Sequence, residues 1–101
     1  MDKKYKIEYL PIAEEDLSEI IQYIMLDNPD AALSMANKLD QTISNLDIFP
    51  NSGSIPNDLR LQALNYIMLI VDPYIVFYVV NDETVEIRRI LHGKRKYNFL
   101  F

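Results

Sequence analysis

The apolar positions of this chain change period, and that change limits the fold more than any other feature. From Ala13 to Leu46 they recur at spacings of three and four: Ala13, Leu17, Ile20 and Ile24, then Ala32, Ala36, Leu39, Ile43 and Leu46. Such spacing puts each set on one stripe of a helix. Asp27, Asn28 and Pro29 separate the two sets. Asn28 is a capping residue, and Pro29 suits a first helical position, where its missing N–H is not needed. Pro11 opens the first helix in the same way, and Glu14, Glu15 and Asp16 follow it, at the positive end of the helix dipole. A helix from Pro11 to about Leu26 and a second carrying the stripe to Leu46 are joined by a turn this short. They fold back as an antiparallel hairpin. Ala32 and Ala36 allow the two to approach closely.

Outside the hairpin the pattern is that of strands. Lys4 to Leu10 alternates, with Tyr5, Ile7 and Tyr9 on one side and Lys4, Lys6 and Glu8 on the other, which predicts a half-exposed strand. Residues 49–57 hold two prolines, two asparagines, two serines and a glycine and read as a loop. Three β-rich segments follow: Tyr66 to Val71, Tyr74 to Val80 and Thr84 to Leu91, divided by Asp72-Pro73 and by Asn81-Asp82-Glu83. The first two are apolar on both faces, which predicts central strands covered on each side. Tight turns make the three a meander. The order is β-α-α-β-β-β, an α+β fold with a helical hairpin packed on a small, mainly antiparallel sheet. With 101 residues it forms a single domain over 1–101.

Charge is distributed unevenly. Residues 1–48 hold ten acids and four bases, 49–86 five acids and one base, and 87–101 five bases and no acid, within a net charge of −5. The total opposes nucleic-acid binding over the whole surface, whereas the basic terminus is suited to one acidic partner. The chain has no cysteine, one histidine and two glycines. Neither a metal-ligand set nor a glycine-rich phosphate cradle can be assembled from these, so no metal and no cofactor is expected. The longest apolar run, Tyr74 to Val80, is too short to span a membrane, and the N-terminus lacks the apolar stretch of a signal peptide. A soluble cytoplasmic domain with no membrane contact is expected.

Element order and local motifs together resemble the RelE/ParE superfamily of type II toxin–antitoxin toxins. The residues that carry the resemblance run from Tyr9 through Pro11, Glu14, Leu17 and Ile20 to Ile24, then from Leu46 to Pro50 with Gly53 close behind. They continue with Asn65 and Tyr66, Tyr74 to Tyr78, Val85 to His92, and Arg95 to Tyr97. The resemblance implies a toxin that inhibits growth and is neutralised by a cognate antitoxin. RelE-like members cut messenger RNA on the ribosome without a metal, and ParE-like members poison DNA gyrase without being enzymes.

RNA cleavage through the 2′-hydroxyl requires a base, positive charge on the phosphate and an acid for the leaving oxygen. By the resemblance, Arg89 is the phosphate-holding arginine of the last strand, with His92 and Tyr97 as proton-transfer candidates. Arg60, Arg88, Lys94, Arg95 and Lys96 are candidates for contacts to RNA phosphates or to an acidic antitoxin segment. Strand alternation puts Arg89 on the face of Ile87 and Leu91, where its stem can equally cover apolar surface while its head pairs with a carboxylate. Ile67 departs from the pattern, since many relatives have an arginine at that position. Losing one phosphate contact costs about 3 kcal/mol of transition-state stabilisation, roughly a hundredfold in rate. An attenuated nuclease, a member with another target and a variant substituted to permit expression each account for Ile67.

Overall fold

The computed structural model describes residues 4–94. Strand β1 (Lys6–Tyr9) leads into helix α1 (Pro11–Asp27), and α2 (Pro29–Ser44) follows after one residue. A 3₁₀ turn at Asn45–Asp47 and a short helix α3 (Leu59–Ala63) precede β2 (Ile67–Val71), β3 (Tyr74–Asn81) and β4 (Thr84–His92). The α+β architecture and the order of the main elements are those read from the sequence. Asn28 caps α2 as its residue type predicts, its side chain accepting a hydrogen bond from the Ala31 N–H at 3.1 Å.

The four strands lie in the order β1-β4-β3-β2. β1 runs parallel to β4, and the other two pairings are antiparallel. This order corrects one expectation. β3 is central and buried on both faces, but β2 is an edge strand, with Ile70 57% exposed. Its apolar outer positions reflect partial cover by the preceding loop, where Ser54 bridges to Met68. Helix α3 falls between the loop of residues 49–57 and the β-rich segment from Tyr66, where the sequence predicts no element; its five residues are too few to display a period. Asp58 caps it, accepting from the N–H groups of Arg60 and Leu61 at 2.8 and 3.1 Å.

Two apolar clusters sandwich the sheet. The larger joins Ala13, Leu39, Ile43 and Leu46 of the helical layer to Ile67, Val76, Tyr78, Val85, Ile87 and Ile90 of the strands. The smaller contains Leu61, Tyr66, Phe77, Val79 and Leu91. Along β2 the alternation is clean: Tyr66 and Met68 belong with the second cluster, Ile67 and Leu69 with the first. Along β4 it is broken by a bulge. Phe77 stands opposite Arg89 but Tyr78 stands opposite Ile87, so Arg88 is the extra residue. Ile87 and Leu91 therefore fall in different clusters, and the single face predicted for Ile87, Arg89 and Leu91 does not exist.

Candidate functional site

The bulge sends the two neighbouring arginines of β4 to different places. Arg89 reaches α1 and forms a two-pronged ion pair with Asp16: Nε donates to Oδ2 at 2.8 Å and one terminal nitrogen to Oδ1 at 3.0 Å. Both side chains are largely buried, at 12% and 9% exposed. The same Asp16 oxygen Oδ2 also accepts the Ile90 N–H at 3.0 Å. Pairing with β1 ends at Ile87, so the Asp16 carboxylate takes over, one step along, the role that a neighbouring strand plays lower on β4. Hydrogen bonding to Asp16 raises the Arg89 pKa against the opposing effect of burial, and the nearby charges of Glu19 and Glu15 raise it further. Arg89 is a permanently charged group with two of its five N–H donors engaged by a carboxylate.

Arg88 pairs with Glu86 at 2.8 Å, and its guanidinium lies 5.7 Å from the centroid of the Tyr66 ring. Burial works to lower its pKa, but hydrogen bonds to Glu86 and Tyr66 and their charges hold it above the ordinary arginine value. Its Nε is buried without an acceptor among the described residues.

His92 closes β4, with its ring edge-on to Tyr74 at a centroid distance of 5.5 Å. Its Nδ1 accepts the Lys94 N–H at 3.1 Å, and the residue is exposed. Arg60 is exposed on α3, and Ile67 is buried at 9% on the helix side of β2. Tyr97, Arg95 and Lys96 lie outside the described residues.

The candidates consequently divide. Asp16 and His92 line one cavity, beside α1. Ile67 and Tyr66 line another, under the loop and α3. Arg88 belongs with Tyr66 on the sheet face away from the helical hairpin. Among the described residues, no group of three or more metal-ligating side chains comes together, and no helix is long and apolar enough to cross a membrane.

Asp16 was missed as a site residue because it was read only as an acid in a first helical turn. Its position carried the signal: three residues after Ala13 and four before Ile20, it lies on the stripe that α1 turns inward. A carboxylate on a buried stripe demands a partner.

The fold matches a solved structure described as the chromosomal ParDE TA system from P. aeruginosa, with a TM-score of 0.75 over 90% of this chain and 98% of that chain, at 17% identity. No curated protein sequence matches. The family model for the ParE toxin of the type II toxin–antitoxin system parDE matches residues 7–97. That span takes in β1 from Ile7 onward, the helical hairpin, the meander and both arginines at the bulge, and this chain belongs to the ParE toxin family of type II toxin–antitoxin systems.

Proposed function

We propose that this toxin arrests growth from the cytoplasm by binding a protein target, DNA gyrase, rather than by cutting messenger RNA. The observation that supports this reading is the Asp16–Arg89 pair. The arginine that a nuclease would turn to the phosphate has Nε and a terminal nitrogen engaged by Asp16 at 2.8 and 3.0 Å. Freeing it would leave a carboxylate and a guanidinium unpaired in a largely dry place, at a cost of about 3–5 kcal/mol. Ile67, at the other position a nuclease would fill with arginine, is packed into the apolar cluster between helices and sheet. Family membership agrees with this reading.

The direct test is negative supercoiling of relaxed plasmid by purified gyrase, run beside cell-free translation of a reporter messenger RNA with its new ends mapped. Inhibited supercoiling with intact RNA is expected. Ribosome-dependent cuts with unaffected gyrase would establish the RelE-like nuclease reading instead.

Membership of a toxin–antitoxin family brings with it an antitoxin partner. We place its acidic contacts on Arg60, Arg88, Lys94, Arg95 and Lys96, and its apolar contacts around Tyr66. An extended or helical segment that orders on binding suits such a surface. Deletion of residues 93–101 is expected to weaken antitoxin binding by more than tenfold, about 1.4 kcal/mol, read by calorimetry. Unchanged affinity would remove the terminal segment from that surface.

A further inference from the structure

Where α1 passes the end of β4, a cavity of about 500 Å³ opens between the helix and the sheet. Its walls include three rings, those of Tyr23, Tyr74 and His92, over an apolar floor of Ile20 and Ile90. Tyr74 is 7% exposed and is held by the edge of His92, while Tyr23 is 76% exposed. A tyrosine left this open has a free face for a ligand, and Leu26 one turn on is 89% exposed.

The charge on this flank is one-sided. Glu15, Asp16 and Glu19 all act on the single guanidinium of Arg89. Arg89 is matched to Asp16, so Glu15 and Glu19 remain in excess. Glu19 lines the cavity, and no lysine or arginine among the described residues does.

We propose that this cavity is a docking subsite for an arginine side chain presented by a partner protein. A guanidinium is planar, always charged and weakly hydrated. It stacks on tyrosine faces while its edge donates to a carboxylate such as that of Glu19. The methylene stem of the arginine lies along Ile20 and Ile90, as long cationic side chains do on apolar surface.

Three observations favour a side chain carried on a peptide over a small free amine. The cavity is larger than one cationic group, and its floor is apolar. Tyr23 also borders a second cavity of about 550 Å³ at the hairpin tip, lined by Ile24, Leu26 and Asp27. A chain leaving the first cavity therefore meets more apolar and acidic surface along α1. The inference rests on these walls and charges alone, and stands whether the toxin's target is gyrase or RNA.

The test is a backbone amide NMR titration of the full chain with the peptide acetyl-Leu-Ala-Arg-Ala-Leu-amide. The same peptide with citrulline in place of arginine, and putrescine, serve as comparisons. Saturable shifts at Glu19, Tyr23 and His92 are expected for the arginine peptide. Affinity should be about tenfold weaker for the citrulline peptide, for putrescine, and for the Glu19→Gln and Tyr23→Ala variants. Both substituted positions are exposed, so the variants keep the native spectrum elsewhere. Equal binding of the citrulline peptide would show that charge is irrelevant, and tighter binding of putrescine would make this a site for free amines. Either result, or no shift at these residues at millimolar peptide, would overturn the proposal.

Discussion

Asp16 and Arg89 lie 73 residues apart in sequence and share two hydrogen bonds. Asp16→Ala would strand the guanidinium and leave the Ile90 N–H without its acceptor. The expected loss is about 3–5 kcal/mol of unfolding free energy, read from urea midpoints. Asp16→Asn keeps an acceptor for Ile90 and should cost clearly less. Half of this pair was legible in the sequence, since an arginine on a strand flanked by apolar residues can cover them with its stem while its head pairs with a carboxylate. The pairing itself was not, because only the bulge at Arg88 decides which of two adjacent arginines turns to α1.

Tyrosines make a second prediction at this scale. Burial raises the pKa of Tyr78 above its ordinary 10.0, outweighing the hydrogen bonds from Gly53 and Ser52 that lower it. Burial likewise raises Tyr9 and Tyr74, with smaller contributions from Asp40 and Tyr23 respectively. The folded chain therefore holds these protons longer than the unfolded chain does. Their contribution to stability is complete below about pH 10 and is lost as pH rises beyond it. Urea midpoints should be level from pH 8 to 9.5 and fall by pH 11. A flat profile would contradict the burial of these phenols.

At the scale of elements, the loop of residues 48–58 is held to the sheet through Gly53. Its N–H donates to the Tyr78 hydroxyl at 3.2 Å. A Cβ at this position would collide with the Met68 carbonyl oxygen and lie 2.7 Å from Ile67 Cγ2. Gly53→Ala must therefore push the loop off β2, with an expected cost of about 1–3 kcal/mol, whereas Gly93→Ala, with its nearest contact at 3.2 Å, should cost less. Thermal unfolding of the two variants decides it.

The same packing bears on Ile67→Arg. A guanidinium placed there meets no carboxylate among the described residues that line the adjoining cavity, so a lowered melting temperature is expected and a gain of RNA cleavage is not. Cleavage by a folded Ile67→Arg variant would show that the side chain reaches the surface.

Period and turn chemistry made the hairpin and the meander legible. The sheet order was not, because a strand with two apolar faces reads as central whether its cover is another strand or a loop. The short α3 escaped for want of length, although Asp58 and Leu61 were its cap and its anchor.

Across the whole chain, ten of the fifteen acids precede residue 49 and five of the ten bases follow residue 86. Family and fold followed from the ordered set of motifs, each of them weak alone. Mechanism did not follow in the same way, because it depends on where Arg89 spends its hydrogen bonds. On the proposed reading, Arg89 fastens β4 to α1 through Asp16 and does no chemistry. Replacing both partners by neutral hydrogen-bonding groups, Asp16→Asn with Arg89→Gln, tests that claim without leaving a lone buried charge. The measurement is growth of cells on induction of this double variant, after circular dichroism and melting have shown it folded. Growth arrest equal to that caused by the unsubstituted chain is predicted. A folded double variant that leaves growth normal would contradict the account and return Arg89 to the list of reacting groups.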